Sequence, residues 1–188
     1  MLNLAQKKQR AQSLVGFNPE GRPENDFYPT PRIGTVSILE KESFGSSIWE
    51  CACGDGSMSK VLEEYKYNVI STDLEPRDYG TQLDFLLSDE LLAPSIVTNP
   101  PFVLMQEFAQ HAFDLGCQKL ALLGKLAFLE GQERTAWLEK TPFKVAYVFR
   151  ARLSLYRNGI KMKNSGMIAF AWYVWERGYS GKPIIGWI

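Results

Sequence analysis

From Ser46 onward the chain alternates short β-branched runs with helical patterns, and no other feature limits its fold as strongly. Residues 47–51 read as a strand, followed by a glycine turn and a helix from an N-cap at Ser57 to about Tyr67. Residues 68–72 form a second strand closed by Asp73, residues 81–84 a weak third, and residues 95–98 a fourth that runs into Asn99-Pro100-Pro101. A helix with Leu104, Phe108, Ala112 and Leu115 on one face stops at Gly116. Residues 119–123 then read as a fifth strand and 132–139 as a short helix. Two long β-rich runs close the chain, 144–155 and 167–176, with no helical pattern between them, so they should pair antiparallel. The expected class is α/β: a doubly wound, mostly parallel sheet with an antiparallel C-terminal hairpin.

At 188 residues the chain suits one domain over 26–188, preceded by a polar arm over 1–25 that contains Pro19, Gly21 and Pro23. No run of about 18 apolar residues occurs, and the first eight residues lack the apolar core of a secretory signal. Three cysteines cannot build a disulfide framework, and their odd number fits a reducing, cytoplasmic setting. With one histidine, His111, the chain offers little for a Ser-His-Asp or multi-histidine metal site. His111 itself reads as a surface or packing residue. The net charge of zero hides a division: residues 1–140 carry 13 Lys+Arg and 20 Asp+Glu, residues 141–188 carry 8 Lys+Arg and one acid, Glu176. Such asymmetry points to an acidic or phosphate-bearing partner, or to a solvated basic hairpin.

Three motifs carry chemistry. Glu50-Cys51-Ala52-Cys53-Gly54-Asp55-Gly56 sits at a strand-to-helix turn, where Gly54 and Gly56 permit a tight backbone and close approach of a ligand. The third glycine of the dinucleotide fingerprint is missing, since Ser59 or Lys60 stands there, which disfavours NAD. Cys51 and Cys53 have no partner pair and suit packing beside a cofactor better than a metal site, so no metal is expected. Asp73 ends the second strand 17 residues after Gly56, near the spacing at which an acid captures ribose hydroxyls in Rossmann-like domains. Asp84-Phe85 is a candidate adenine contact and stacking face. Asn99-Pro100-Pro101-Phe102 falls at the carboxyl end of a parallel strand, where open α/β sheets bind ligands. Its prolines stiffen the loop and leave carbonyls free, the Asn oxygen adds an acceptor, and Phe102 adds a flat face. Two acceptors and a ring suit a planar exocyclic amine, which needs no strong general base.

At these residues the chain resembles the S-adenosylmethionine-dependent amino-methyltransferases, most closely the small adenine-N6 DNA methyltransferases of phages and prophages. Glu50–Gly56, in numbers 50–56, looks like their D/E-P-x-C-G-x-G cofactor loop, with Cys51 in place of proline. Asp73 matches the ribose acid, Asp84 the adenine-side acid, and 99–102 the catalytic N/D-P-P-Y/F/W tetrapeptide. Phe27-Tyr28-Pro29-Thr30-Pro31 resembles the segment that wraps the methionine end of the cofactor, which implicates Tyr28, Thr30 and Pro31. Residues 128–131 with Arg134 are similar to the phage subgroup more loosely.

The resemblance implies the S-adenosylmethionine-dependent methyltransferase fold, S-adenosylmethionine as cofactor and methylation of adenine N6 in DNA. Asn99, Pro100, Pro101 and Phe102 would be catalytic, and Glu50, Cys51, Gly54, Gly56, Asp73, Asp84 and Phe85 would join Tyr28, Thr30 and Pro31 around the cofactor. Relatives with the same tetrapeptide methylate RNA bases or protein glutamine, and a cofactor-binding fold kept only to bind DNA is a third reading. Arg150, Arg152, Lys161 and Lys163, with Lys144 and Arg157, are the expected phosphate contacts. Tyr156 and Trp172 read first as core or hairpin aromatics. No insertion exceeds about 25 residues, so no separate target-recognition domain is expected and sequence selectivity should be limited.

Overall fold

The computed structural model describes residues 28–75, 77–153 and 168–188. The expected polar arm and Phe27, Tyr156, Arg157, Lys161 and Lys163 lie outside the described residues. Among the described residues, eight strands form one sheet: β1 Ser47–Glu50, β2 Asn68–Asp73, β3 Thr81–Gln82, β4 Ser95–Thr98, β5 Lys119–Lys125, β6 Phe143–Val148, β7 Phe170–Glu176 and β8 Ile184–Trp187. Their spatial order is β3-β2-β1-β4-β5-β7-β6-β8. Strands β1 to β5 run parallel, and β7 inserts antiparallel between β5 and β6. The expected α/β class with an antiparallel C-terminal pair is therefore present.

Alternate residues of the central strands feed two cores. Trp49, Ile96, Leu120 and Leu122 face one layer, and Ile48, Val97, Ala121 and Leu123 face the other. The first layer is covered by helix α3, Met105–Asp114, whose buried Met105, Phe108, Ala109 and Ala112 recur at helical spacing. The second is covered by α1, Arg32–Leu39, and α2, Ser57–Glu64, through Ile38, Met58 and Leu62. Helix α4, Gln132–Leu138, follows β5 after a 3₁₀ turn. Both faces of the sheet are thus buried, which is why its strands are near-continuous apolar runs.

Three local features depart from the sequence-based expectation. Helix α1 carries Gly34, Thr35, Val36 and Ile38, a composition with poor intrinsic helicity, and packing supplies what propensity does not. The indole N–H of buried Trp172 donates to the Gly34 carbonyl at 2.8 Å, and Thr30 and Leu153 pack 3.3 and 3.4 Å from where a Gly34 Cβ would stand. Strand β8 pairs parallel with β6 at the sheet edge; its exposed Ile184, Ile185 and Trp187 show no alternation that would mark a half-buried strand. Ser57 is the first helical residue of α2 rather than its cap. Gly56, at φ 76°, is the N-cap, and the helix ends at Glu64.

Met105 begins α3 directly after the Asn-Pro-Pro-Phe loop, and a Cβ on Gly124 of β5 would overlap its sulfur. The close helix–strand approach at Gly124 therefore sets the height of that loop above the sheet. Gly124→Ala is expected to lower unfolding stability by about 1–3 kcal/mol in urea titration. An unchanged midpoint would mean that Met105 swings aside without cost.

Candidate active site

Strands β1, β2 and β4 end at the same edge of the sheet, and β1 and β4 flank the point where strand order reverses. Glu50 closes β1 and is 1% exposed. Its Oε1 accepts the Thr98 hydroxyl at the end of β4 and the Ala52 N–H at 3.2 Å, so one carboxyl ties the two strands to the turn between them. Burial pushes its pKa up to about 8, the bonds from Thr98 and Ala52 hold it back, and the Asp73 charge adds to the rise.

Past Glu50 the chain turns through Gly54 (φ 55°) and Gly56 (φ 76°), conformations that only glycine adopts without strain. The Gly54 N–H donates to Asp73 Oδ2 at 2.7 Å and the Glu75 N–H to Oδ1 at 2.9 Å, which fixes the acid at the end of β2 against the loop. Asp55 accepts the backbone N–H of Ser57 at 2.9 Å and its hydroxyl at 2.6 Å. The Tyr79 ring covers Gly56, 2.5 Å from where a Cβ would stand. Cys51 and Cys53 are buried, and burial raises both thiols, Cys53 to about 12. Among the described residues no three His, Cys, Asp or Glu side chains are grouped to hold a metal ion.

Asp84 and Phe85 divide their roles. Asp84 accepts the Leu86 N–H at 3.0 Å and caps a 3₁₀ turn, Phe85–Leu87. Phe85 points inward, 3% exposed, with the rings of Trp49, Phe108 and His111 about it at 4.8–5.1 Å. It is a core residue and presents no stacking face, contrary to the expectation from sequence: an aromatic after a capping Asp reads alike whether it turns in or out. Leu74, directly after Asp73 and 54% exposed, offers an apolar surface there instead. An apolar residue following a strand-terminal acid is the signal that identifies it. His111 packs edge-on to Phe85, its Nε2 3.0 Å from the Ser88 carbonyl.

The Asn99 loop is held from the far side of the chain. Asn99 Nδ2 donates to the Tyr28 carbonyl at 3.2 Å and to Thr30 Oγ1 at 3.1 Å. Its Oδ1 is buried and accepts no hydrogen bond among the described residues. Pro100 is buried, Pro101 exposed, and Phe102 half-buried. The Phe102 ring stacks on Tyr28 at 6.2 Å and 25° and meets Phe170 at 5.5 Å. Pro31, in the same segment, is the N-cap of α1.

Strand β6 runs in the same direction as β5, so Arg150 and Arg152, both exposed, emerge at the same edge as Phe102. Lys144 lies at the opposite edge. Its ammonium pairs with Glu176 at 2.8 Å and with Glu42 at 3.5 Å, in a cluster with Lys119 and Tyr147. It is a structural ion-pair residue, not one of the phosphate contacts expected from sequence. Arg134 donates to the carbonyls of Ala127, Phe128 and Glu130 and covers the Phe128 ring, which binds α4 to the turn before it. Trp172 is fully buried in the core.

No protein-family profile and no curated protein sequence matches the chain. Solved structures do. The chain is similar to the methyltransferase subunit of a type I restriction-modification system from Streptococcus thermophilus, at 14% identity and a TM-score of 0.54 over 94% of this chain and 49% of that one. It is similar to the 23S rRNA methyltransferase ErmE at 13% identity and a TM-score of 0.56, over 81% of this chain and 70% of that one. A dimethyladenosine transferase from Plasmodium falciparum aligns at 10% identity and 0.52, over 77% and 60%. The chain shares its fold with these methyltransferases. At these identities the likeness is one of fold, and the chain spans about half the length of the restriction-modification subunit. Among the described residues no helix is long and apolar enough to cross a membrane.

The raised Glu50 carboxyl has a measurable consequence. Between an ordinary glutamate value of 4.5 and about 8, the folded state keeps a proton that the unfolded state has lost. Stability should therefore fall as pH rises through that window. Glu50→Gln cannot titrate, so its melting temperature should gain on the parent protein from about pH 5 to about pH 8. A gap that stays constant with pH would mean that Glu50 is ionised in the fold.

Proposed function

We propose that the protein transfers a methyl group from S-adenosylmethionine to the exocyclic N6 amine of adenine in DNA. The observation that carries this reading is the Asn99 amide: its nitrogen is committed to Tyr28 and Thr30, and its buried oxygen has no partner among the described residues. Unsatisfied buried acceptors are rare in folded proteins and cost about 1–3 kcal/mol. A donor brought by substrate removes that cost.

The cofactor half of the site suits an adenosyl sulfonium and not a dinucleotide. A pyrophosphate needs the free N–H groups of the helix N-terminus and an open glycine backbone. Here the Asp55 carboxylate already accepts from Ser57, and the Tyr79 ring covers Gly56. Asp73, with each oxygen engaged by one backbone N–H, keeps lone pairs for two ribose hydroxyls. Leu74 and Asp84 attend the adenine, the backbone of Cys51, Gly54 and Gly56 shapes the loop, and Glu50, Tyr28, Thr30 and Pro31 border the methionine end. When bound, S-adenosylmethionine supplies an electrophilic methyl group on a cationic sulfur.

The chain's own residues orient the amine. Asn99 Oδ1 and the Pro100 carbonyl accept its two protons, which localises the nitrogen lone pair along the line of transfer. Phe102 stacks on the base, and Pro100 and Pro101 keep the acceptors from relaxing. The base has to leave the duplex stack to reach them. Arg150 and Arg152 bind phosphates, and the sequence assigns the same role to Lys161 and Lys163.

With cofactor and mixed-sequence duplex, digestion to nucleosides and mass analysis should yield N6-methyladenine. An intact, cofactor-binding protein that modifies only RNA or glutamine would sink the DNA assignment, and failure to bind S-adenosylmethionine in calorimetry would sink the enzyme itself. Asn99→Ala should reduce transfer by about 100-fold or more while calorimetry shows cofactor affinity within about threefold. Equal loss of both would make the loop structural. Thr30→Val should lower kcat by about tenfold, with Thr30→Ser recovering most of it, because the hydroxyl and not the methyl group of Thr30 joins the Tyr28 carbonyl in holding the Asn99 amide. No recovery by serine would leave Thr30 a packing residue.

A further inference from the structure

Lys125 ends β5 at the edge of the sheet that carries Asn99, and its ammonium lies over the Phe102 ring, 5.4 Å from the centroid. No carboxylate of the described residues lies within ion-pair distance of it. The two other lysines of this sheet with assigned ion partners, Lys119 and Lys144, sit at the opposite edge with Glu42 and Glu176. The functional edge is divided by charge. Glu50, Asp73 and Asp84 stand at the ends of β1, β2 and the turn beyond, whereas Lys125, Arg150 and Arg152 stand at the ends of β5 and β6.

We infer that Lys125 contacts the phosphate of the nucleotide whose base stacks on Phe102, and so selects a polynucleotide over an amide side chain. This rests on the transferase reading above. An ammonium over an aromatic face is held by the ring quadrupole. A base that stacks on the face the ammonium covers moves it to the ring's edge, where the attraction is lost. A nucleotide brings an anion on its own backbone to take the displaced charge. A glutamine side chain brings none and leaves the cation without a partner. The contact is a point charge on a flexible stem, which suits a phosphate whose position varies with the sequence around it.

The test uses the full chain with S-adenosylmethionine and a mixed-sequence DNA duplex, in parallel assays of methyl transfer and of binding by fluorescence anisotropy across a range of NaCl. Lys125→Gln should lower kcat/KM by about tenfold at low salt and reduce the slope of log affinity against log salt by about one. Lys125→Arg should keep the slope and stay within about threefold of the parent. Arg177→Gln, at the opposite edge, is the control and should match the parent. An unchanged slope in Lys125→Gln overturns the contact, and so does an equal loss in the arginine and glutamine variants. Failure of the transferase reading looks different: DNA bound with the slope reduced in Lys125→Gln, yet never methylated by the parent, keeps the phosphate contact and removes the activity. A parent protein that binds no DNA overturns the contact.

Discussion

The Tyr28 carbonyl can only accept a hydrogen bond, so the atom of the Asn99 amide that faces it is the nitrogen, and the oxygen turns the other way. Once the carbonyl has set that polarity, the Thr30 hydroxyl accepts the second proton of the same nitrogen at 3.1 Å. An asparagine side chain is otherwise free to rotate by half a turn, presenting donors or an acceptor to whatever approaches. Two bonds from a segment some 70 positions earlier in the chain remove that freedom. The bonds also join the first described residues to the loop after β4, and Tyr28 adds its ring to Phe102. One small contact thus sets the polarity of the loop, the position of its aromatic face and the path of the segment entering α1.

The same edge manages two acids in different ways. Asp73 is half-buried and held by two backbone N–H groups, an arrangement that suits a carboxylate. Glu50 is fully buried, receives a hydroxyl and one N–H on a single oxygen, and has no cation beside it among the described residues. Burial wins there, and the group keeps its proton to about pH 8. A second charge next to Asp73 would be repelled, so a protonated Glu50 lets both acids stand at the switch point. The ion-pair cluster of Glu42, Lys119, Lys144 and Glu176 makes the contrast. Burial alone would raise the Glu42 carboxyl, yet hydrogen bonds from Lys119 and Tyr147 and the charges of Lys119 and Lys144 hold it below its ordinary value. Glu42 and Glu176 have cations beside them and serve the structure, whereas Glu50 has none among the described residues and lies at the site.

Features that depend on local chemistry were legible in the sequence. The strand before Gly54, the acid ending β2 and the Asn-Pro-Pro-Phe loop after β4 each combine an apolar run with a residue that ends it. The antiparallel pairing of β6 and β7 followed from the absence of a helix long enough to cross the sheet. Features that depend on distant partners were not legible. Helix α1 forms against Trp172 and Leu153 despite its β-branched content. Lys144 reads as one of a basic series until Glu42, 102 positions away, is seen beside it. Phe85 looks like a stacking ring until Trp49 and Phe108 enclose it. The bond from Asn99 to Thr30 spans 69 positions and joins two motifs that sequence reading keeps apart.

Under the proposed transfer to an adenine amine, neutral acceptors in the Asn99 loop suffice. The exocyclic amine of adenine is far too weak an acid to be deprotonated by any side chain near neutral pH, so a general base has nothing to do before the bond forms. Once nitrogen has gained a methyl group it is cationic and strongly acidic, and its proton passes readily to water. The barrier lies between these states, in drawing the lone pair out of the ring and aiming it. Hydrogen-bond acceptors do that without becoming charged, provided that they cannot follow the protons as they move. Proline at 100 and 101 limits the backbone, and Tyr28 and Thr30 limit the amide. A histidine in the same place would be protonated or solvated in part. The single histidine of the chain is instead packed against Phe85, away from the loop, which agrees with a site that needs orientation more than basicity.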